Sequence, residues 1–366
     1  MSYREESEDL DRRILGVIES WHRGNGIAES EVDELFLRVA RHQGEYNRAY
    51  RRFVEYLEVD LAAISEVRAI PAVPASAFKE AELTTGESAQ AEVVFRTSGT
   101  TSSRRGRHFM ESTDLYRASS LAIFDRLVLA PRSLLDRKRR RLRFISVVPQ
   151  SRERPDSSLG FMVDHLIACR GDGEDRHLLR GDAIEIEELR EAVRRAHADR
   201  VALCLFTTAL AALHLLEGSG DAPLPLPPGS LIIETGGAKG RRGATNLTEL
   251  YTRLTERFCV ERADIIAEYG MTELTSQYYD LASSCAHEPR VKVGPPWLRP
   301  FIIDAEGRET APGTAGTLRH LDLANRSSVC AIESEDLAVR HGSGFLLLGR
   351  PEGAELRGCS LDFPRM

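Results

Sequence analysis

Residues Val93-Val-Phe-Arg-Thr-Ser-Gly-Thr-Thr-Ser-Ser-Arg-Arg-Gly-Arg-His108 run from a short apolar stretch into a turn rich in hydroxyl groups. We predict a strand over Val93–Arg96, followed by a turn around Gly99 and a cluster of arginines. Hydroxyls and backbone N–H groups around one glycine suit the oxygens of a polyphosphate, and arginine can offset their charge. Taken alone, this segment supports phosphate binding and an ordinary Ser/Thr-rich surface turn about equally.

The chain downstream of this segment alternates short apolar runs with helical segments. We predict strands at Val93–Arg96, Arg143–Val148, Val201–Phe206, Leu231–Glu234 and Asp264–Glu268. We predict helices at Asp114–Leu127, Ser158–Ala168, Ile184–His197, Ala209–Glu217 and Leu247–Phe258. Such alternation implies crossover connections and mostly parallel sheets flanked by helices. The fold class predicted for the chain is therefore α/β.

The two ends of the chain carry different patterns. The spacing of apolar residues over residues 1–70 predicts an N-terminal helical segment, in which Ser30 would cap the second helix. Residues 71–290 form the predicted α/β core, and residues 291–366 a small antiparallel β subdomain. The strands expected in that subdomain are Phe301–Asp304, Gly316–Leu321, Val329–Glu333, Ala338–Arg340 and Phe345–Leu348.

Composition excludes several classes of protein. The 366 residues include 49 Lys and Arg against 56 Asp and Glu, and the net charge of −7 argues against nucleic acid as the main partner. No apolar run approaches the roughly 18 to 20 residues of a transmembrane segment, and residues 1–13 are charged throughout, without the apolar region typical of a signal sequence. Six scattered cysteines without a CxxC pair argue against zinc and a disulfide framework. We expect a cytoplasmic protein.

A second strand-to-turn junction lies at Asp264-Ile-Ile-Ala-Glu-Tyr-Gly-Met-Thr-Glu-Leu-Thr-Ser-Gln277. At the carboxyl end of a parallel strand, such a turn faces the usual ligand crevice. Tyr269 could stack on a base, Thr272 could bind a phosphate, and Glu273 could hold Mg²⁺, which prefers oxygen ligands. Taken alone, the residues favour a threonine N-cap followed by an acidic first turn.

A third junction lies at Ser230-Leu-Ile-Ile-Glu-Thr-Gly-Gly-Ala-Lys-Gly240. Gly236 and Gly237 could let a flat ring lie against the backbone. Taken alone, this segment favours a tight strand-to-helix connection over a binding site.

Together, the junctions resemble the motifs of adenylate-forming acyl-activating enzymes. Thr97–Thr101 looks like their phosphate loop, and Tyr269–Glu273 like their adenine and magnesium motif. Glu335–Leu337 looks like the motif with the ribose-binding aspartate, and Gly342–Arg350 ends in a Gly-Arg like that at their subdomain hinge. The order and rough spacing of these blocks match across about residues 70–366.

Within that superfamily the chain most resembles the LuxE-type acyl-protein synthetases. The resemblance is carried by Pro149–Met162, Gly237–Gly240, Glu268–Gln277 and Arg357–Leu361. It implies a cytoplasmic, ATP-dependent ligase that activates a carboxylic acid of the fatty acid class as an acyl-adenylate. The acyl group would then pass to Cys359 as a thioester, for delivery to an acyl reductase partner.

The resemblance also assigns roles to residues, with ATP and Mg²⁺ as cofactors and residues 71–290 as the nucleotide-binding core. The implied nucleotide-binding residues are Thr97, Ser98, Gly99, Thr100, Thr101, Gly236, Gly237, Tyr269, Gly270 and Asp336. The implied catalytic residues are Cys359, Thr272, Glu273 and Arg350, with Glu273 as the metal ligand. Arg357 beside Cys359 would favour its thiolate.

The chain departs from the superfamily pattern in its loop and in its length. Ser102 stands where glycine is usual, and Arg104 and Arg105 where a lysine is common. Only 16 residues follow Arg350 and no lysine follows Lys292, so we expect the usual lysine-bearing C-terminal lid to be absent, which resembles the short LuxE-type proteins. The cationic candidates that remain are Lys239, Lys292 and Arg350.

Two alternatives remain open from the sequence. A relative of phenylacetate–CoA ligase would pass the acyl group to coenzyme A or a carrier protein, and Cys359 would then be an ordinary edge-strand cysteine. A non-catalytic nucleotide-binding scaffold within a reductase complex is the second alternative, and the missing lid and altered loop motivate it.

Overall fold

The computed structural model describes residues 2–97, 105–134, 142–181, 183–218, 220, 222–236 and 247–350. The α-helices in these ranges are α1 (Tyr3–His22), α2 (Glu29–Tyr46), α3 (Arg48–Tyr56), α4 (Ala77–Glu80), α5 (Asp114–Ile123), α6 (Ser158–Arg170), α7 (Ile186–Asp199), α8 (Ala209–Gly218) and α9 (Leu247–Phe258). Within the same ranges, no helix is both long enough and apolar enough to cross a membrane.

The strands are short and mostly buried. They are β1 (Val73–Pro74), β2 (Val93–Arg96), β3 (Arg107–Met110), β4 (Leu142–Ser146), β5 (Arg176–His177), β6 (Leu179–Arg180), β7 (Ala183–Ile184), β8 (Ala202–Thr208), β9 (Leu231–Thr235), β10 (Ile265–Tyr269), β11 (Tyr278–Asp280), β12 (Val291–Val293), β13 (Leu298–Ile303), β14 (Ala315–Asp322), β15 (Ala331–His341) and β16 (Gly344–Gly349).

Twelve strands form one mixed sheet. Its order is β13-β14-β15-β16-β12-β11-β10-β9-β8-β4-β5, and β1 pairs with β15. The half from β10 to β5 is parallel, and the half from β13 to β11 is antiparallel. Because helices connect the parallel strands and pack on the sheet, the predicted α/β fold class is confirmed.

Each face of the parallel half packs into a separate apolar core. Phe144 and Phe206 belong to the larger core, which also takes in the N-terminal helices and the antiparallel strands. Leu203 and Leu205 belong to the second core, which packs beneath α7, α8 and α9. Adjacent residues of a strand point to opposite faces, so the all-apolar runs predicted as strands bury both of their faces.

The predicted strands after residue 291 form, but two of them are one. Val329–Glu333 and Ala338–Arg340 were predicted as separate strands, and this was wrong because β15 is continuous through Ser334, Glu335 and Asp336. These polar residues stay in the strand since they have partners: Ser334 Oγ, for example, donates to Leu318 O at 2.8 Å. The antiparallel strands continue the parallel sheet through β11 and β12, while the boundaries at residues 70 and 290 stay predictions.

Two helix ends differ from the sequence prediction. Helix α2 begins at Glu29 after Ala28, so the expected cap at Ser30 was wrong; the negative charges of Glu29 and Glu31 in the first turn stabilise the helix start instead. Helix α5 ends at Ile123 and continues as a π-helical turn over Phe124–Leu129. The turn contains Asp125, a buried carboxylate bonded to Arg170 and His22.

A buried loop, residues 322–330, joins the N-terminal helices to the sheet. The amide nitrogen of Gln43 on α2 donates to Asn325 O at 2.9 Å and Arg326 O at 3.0 Å, and its oxygen accepts from Cys330 N at 2.9 Å. The Arg326 guanidinium, 3% exposed, binds both carboxylate oxygens of Asp11 at 2.7 Å and Glu111 at 2.8 Å. We call residues 322–330 the anchor loop.

We predict that Arg326→Met lowers the free energy of unfolding by about 3 kcal/mol, because two partly buried carboxylates lose their cation. Arg326→Lys should recover part of the lost stability, since lysine restores the positive charge but cannot bind both oxygens of the Asp11 carboxylate with two parallel N–H groups. Urea unfolding at pH 7 measures both. Arg308→Met, which removes an exposed ion-paired arginine, is the control and should change stability by less than about 0.5 kcal/mol. Equal effects at positions 326 and 308 would refute the anchoring role.

Candidate functional site

Two of the three predicted turns leave the sheet side by side. Strands β9 and β10 are parallel neighbours, with Thr235 of β9 in register with Glu268 of β10. Gly236 follows the first strand with φ of +89°, a conformation that favours glycine. The turn Gly270–Glu273 follows the second. The carboxyl edge of the parallel strands therefore carries both, where α/β folds place their ligands.

The third turn rises from the hairpin of β2 and β3. Its stem closes through Thr97 N to Gly106 O at 3.0 Å and Gly106 N to Thr97 Oγ1 at 2.8 Å. His108 on β3 then joins the hairpin to the second turn, because its Nδ1 lies 2.7 Å from Thr272 O. The stem of the predicted phosphate loop thus lies against the predicted adenine and magnesium turn.

Burial fixes the protonation state of His108. The side chain is 1% exposed and lies edge-on to the Phe78 ring, and this burial lowers its pKa to about 4. The imidazole is therefore neutral near pH 7. Since the carbonyl of Thr272 only accepts, the proton lies on Nδ1 and donates to it. Sequence reasoning did not single out His108, because nothing local indicates a partner 164 residues away.

The anchor loop holds the second turn from its other side. Asp322 accepts from Thr275 N and Ser276 N, each at 2.8 Å, and Asn325 donates to Glu273 O at 2.8 Å. Asp322 is fully buried, which raises its pKa to about 6 against the effect of these hydrogen bonds. Clamped between His108 and the anchor loop, the turn presents a half-exposed Thr272 next to a buried Glu273.

Tyr269, Asp336 and Arg350 form one connected group. The Tyr269 hydroxyl donates to Asp336 at 2.7 Å, and Arg350 Nε donates to the other carboxylate oxygen at 3.0 Å. Arg350 also binds Glu335 at 3.0 Å. The Tyr269 ring is buried against aromatic rings that include Tyr278. The structure thus brings together two predicted nucleotide-binding residues, Tyr269 and Asp336, and the predicted catalytic residue Arg350, with the Asp336 carboxylate already hydrogen-bonded and fully buried.

Two further basic residues near the site, the cationic candidate Lys292 and Arg105, are engaged in internal bonds. Lys292 is buried and donates to Asp280 at 2.6 Å and to Ala267 O at 2.9 Å, so it stabilises the sheet interior. Arg105, from the basic cluster, binds Asp156 at 2.7 Å and Thr97 O at 2.6 Å, which braces the hairpin stem.

Several predicted site residues lie outside the described part of the chain. They are Ser98, Gly99, Thr100, Thr101, Gly237, Lys239 and Cys359. Their roles stay predictions, as does base stacking by Tyr269.

The described residues contain no group of three or more His, Cys, Asp and Glu side chains suited to a metal ion. Proteins nevertheless often bind Mg²⁺ through a single carboxylate, and phosphate oxygens and water supply the remaining ligands. The carboxylate of Glu273, in the turn beside the hairpin stem, suits the role of that single protein ligand.

Comparison with known proteins identifies the fold. No protein-family model matches the chain, and no curated protein sequence matches it. Among solved structures, 2-hydroxyisobutyryl-CoA ligase in an open conformation with 2-HIB-AMP and CoA is similar at 13% identity and a TM-score of 0.59, over 88% of this chain and 71% of that chain. The same ligase in its thioesterification state is similar at 14% identity and a TM-score of 0.59, over 88% and 69%.

The ligase in its postadenylation state with 2-HIB-AMP is also similar, at 13% identity and a TM-score of 0.57, over 87% of this chain and 67% of that chain. At these identities the likeness shows the fold. The chain therefore has the fold of an adenylate-forming ligase, as the motifs implied.

We predict that His108 makes folding sensitive to mild acid. Its pKa is about 4 when folded and about 6.5 when unfolded, so between these values only the unfolded chain binds the proton. Stability is therefore lost as the pH falls below about 6.5. His108→Asn keeps a donor near Thr272 O but cannot titrate, so its loss between pH 7 and pH 5 should be smaller by about 2 kcal/mol.

Urea unfolding of both proteins at the two pH values measures this difference. His287→Asn, at an exposed histidine, is the control and should lose as much stability as the unaltered chain. If His108→Asn also loses that much, the neutral buried imidazole is refuted.

Proposed function

We propose that the chain is an ATP-dependent ligase that activates a carboxylic acid, of the fatty acid class, as an acyl-adenylate. The acyl group would then pass to Cys359 and on to an acyl reductase. The proposal rests on the His108–Thr272 hydrogen bond, because it brings the stem of the predicted phosphate loop against the Thr272–Glu273 turn. The adenylate-forming ligase fold and the Tyr269–Asp336–Arg350 group support it.

In the first step, a carboxylate oxygen attacks the α-phosphorus of ATP and the bond to pyrophosphate breaks. Thr272 would donate its hydroxyl to an α-phosphate oxygen, and the hydroxyls of Thr97–Thr101 would bind the departing phosphates. Bound Mg²⁺, held by Glu273 and phosphate oxygens, would offset charge there. The clamp on the Thr272 turn keeps this donor in place before the substrates arrive, so positioning supplies much of the catalysis.

In the second step, the Cys359 thiolate attacks the acyl carbonyl carbon, the carbon–oxygen bond to AMP breaks, and a thioester forms. Cys359 is nine residues beyond Arg350, and nine residues reach at most about 30 Å. Arg350 is bonded to Asp336 in the nucleotide group, so a segment of this maximum length would allow Cys359 to reach the site.

Asp336 and Arg350 would change partners when the nucleotide binds. Both oxygens of the Asp336 carboxylate are hydrogen-bonded, and the residue is fully buried. Ribose hydroxyls can reach it only if Arg350 or Tyr269 moves aside. Arg350 is the more mobile group by chemistry, because its long side chain can retain Glu335 while it releases Asp336.

We predict that incubation with ATP, Mg²⁺ and a pool of carboxylic acids adds one acyl group to the protein, at Cys359. Intact-mass and peptide mass spectrometry identify the acid, the thioester and its position together. Cys359→Ala should abolish labelling but retain acid-dependent ATP–pyrophosphate exchange, because adenylation precedes transfer. Cys259→Ala, at an exposed free cysteine, is the control and should label normally.

Other outcomes identify the alternatives. Thioester formation on coenzyme A or a carrier protein, with the enzyme itself unlabelled, would replace the acyl-protein assignment by a soluble-acceptor ligase. The absence of exchange over a wide acid panel would contradict the ligase and leave a nucleotide-binding scaffold.

We predict that Thr272→Val lowers ATP–pyrophosphate exchange about 100-fold, the usual loss when one transition-state donor is removed. The substitution is nearly isosteric and the backbone bond from Thr272 O to His108 is kept, so stability should change little. Thr252→Val, on the exposed side of α9, is the control and should exchange normally. An unaltered rate in Thr272→Val would remove the residue from the mechanism.

A further inference from the structure

A cavity of about 530 Å³ lies between helix α1 and the anchor loop. The anchor loop lines it with residues that include Arg326 and Ser327, and the chain from β3 to α5 lines it with residues that include Met110 and Leu115. Among the described residues that line the cavity, none is a predicted nucleotide-binding or catalytic residue. Its volume lies within the range of small-molecule sites, about 300–1,000 Å³.

One face of α1 forms a long wall of this cavity. The lining residues of α1 recur every three or four positions, so they lie on one stripe of the helix: Glu8, Asp11, Arg12, Leu15, Gly16 and Glu19. At 1.5 Å per residue, the stripe from Glu8 to Glu19 is about 16 Å long. The cavity is therefore an elongated groove, and we call it the α1 groove.

Gly16 leaves the middle of the α1 groove open. It lies in the interior of a 20-residue helix, where glycine is a poor helix former. A Cβ at this position would meet no heavy atom within 4 Å, so the packing of the protein does not require glycine there. The glycine weakens the helix and widens the groove. This observation points to an occupant independently of the charges around it.

The middle of the groove is also apolar. Leu15 lies beside Gly16 at the centre of the stripe, and the buried side chains of Met110, Leu115 and Ala324 add apolar surface to the same cavity. Apolar surface of this kind gains free energy when methylene groups cover it. The central part of the groove therefore suits an aliphatic chain.

Helix α1 and the chain from β3 to α5 run side by side in the same direction. Near the start of α1, the Tyr3 hydroxyl donates to Glu111 at 2.9 Å. At its end, His22 Nε2 lies 2.6 Å from Asp125 Oδ2. Asp114, which follows Glu111 closely, therefore lines the groove toward the start of α1.

Both ends of the groove carry exposed carboxylates. Glu8 and Asp114 lie toward one end, and Glu19 lies at the other. Glu8 and Glu19 each pair with an exposed arginine four positions away in the sequence, and such exposed pairs contribute little stability. Within the described ranges, Asp114 makes no ion pair. A cationic group can therefore bind at either end without breaking a strong interaction.

The two guanidinium groups of the groove already have carboxylate partners. Arg326 binds Asp11 at 2.7 Å and Glu111 at 2.8 Å, and Arg12 binds Asp9 at 2.9 Å. Their positive charges are balanced within the protein, whereas the carboxylates at the two ends remain available. The groove therefore favours a cationic ligand over an anionic one.

We propose that the α1 groove binds a linear aliphatic diamine, a ligand of the polyamine class. One ammonium group would lie near Glu8 and Asp114, and the other near Glu19. The methylene groups between them would pass over Gly16 along Leu15. This site is distinct from the ligase site, and binding there does not depend on the proposed ligase function.

The anchor loop connects the groove to the Thr272 turn. The loop lines the groove, and its Asn325 donates to Glu273 O at 2.8 Å. A bound diamine would hold α1 against the loop and so stabilise the turn. This coupling rests on the proposed function, and we expect a saturating diamine to raise ATP–pyrophosphate exchange about 3-fold. An unaltered rate would overturn the coupling but not the binding site.

Isothermal titration calorimetry of the full chain tests the site with four probes: 1,8-diaminooctane, 1,4-diaminobutane, octylamine and 1,8-octanediol. We expect 1,8-diaminooctane to bind one per chain, with a Kd at least 10-fold lower than that of octylamine, because only the long diamine can pair with both ends. The short diamine should bind as weakly as octylamine, and the diol should not bind. Equal Kd values for 1,8-diaminooctane and octylamine would overturn the two-ended site.

Variants test whether the groove is the binding site. Gly16→Leu should raise the Kd of 1,8-diaminooctane at least 10-fold, because the new side chain fills the middle of the groove. Leucine is a good helix former, so urea unfolding should show no loss of stability. Gly16→Ala is the matched control and should keep the Kd within 2-fold, since its Cβ has open space. An unchanged Kd in a folded Gly16→Leu variant would overturn the assignment.

A charge variant tests the far end of the groove. Glu19→Gln should raise the Kd of 1,8-diaminooctane about 5-fold and leave that of octylamine nearly unchanged, because the single ammonium group can bind at the other end. Glu55→Gln, at an exposed glutamate of α3 outside the groove, is the control and should change neither value. Equal effects of the two substitutions would contradict the assigned position of the ligand.

Failure of this inference differs from failure of the proposed function. The titrations contain no ATP and no acid, so a chain without exchange activity can still bind the diamine. No binding of 1,8-diaminooctane would overturn the inference and leave the ligase proposal standing.

Discussion

The anchor loop, residues 322–330, is the constraint on which the site depends. It lies in the interior, and its polar groups are paired with distant parts of the chain: Gln43 from α2, Asp11 from α1 and Glu273 from the site turn. Buried polar networks of this kind are costly when one member is lost and rigid when all are satisfied. The N-terminal helices therefore act on the site indirectly, by holding the loop that holds the Thr272 turn.

Local sequence patterns predict most of the strands in the parallel half of the sheet. The apolar runs of β8, β9 and β10 and the glycines behind two of them are local signals, so their positions could be predicted to within one or two residues. The junction between Val329 and Arg340 could not, because Ser334 to Asp336 look like a turn until their partners are known. Whether a polar residue belongs to a strand depends on its tertiary contacts, which the pattern of a single sequence does not contain.

The candidate site divides in the same way. Tyr269, Thr272 and Asp336 could be proposed from motif resemblance, and the structure brings Tyr269 and Asp336 into direct contact. His108 and Asp322, whose hydrogen bonds hold the Thr272 turn, could not be proposed in this way. Each of them bonds to a residue more than 40 positions away in the sequence. Residues that touch a ligand sit in recognisable turns, whereas residues that position those turns are ordinary polar side chains elsewhere.

The alternation of Glu268 and Tyr269 along one strand has an evolutionary consequence. Because neighbouring positions of a strand point to opposite faces of the sheet, a substitution at Glu268 alters one face of β10 and leaves the Tyr269 side chain on the other. Under the proposed function, a lineage built on this scaffold could change one face of the strand while the contacts of Tyr269 with Asp336 are kept. The same separation offers engineers a place to redesign selectivity, one strand position at a time.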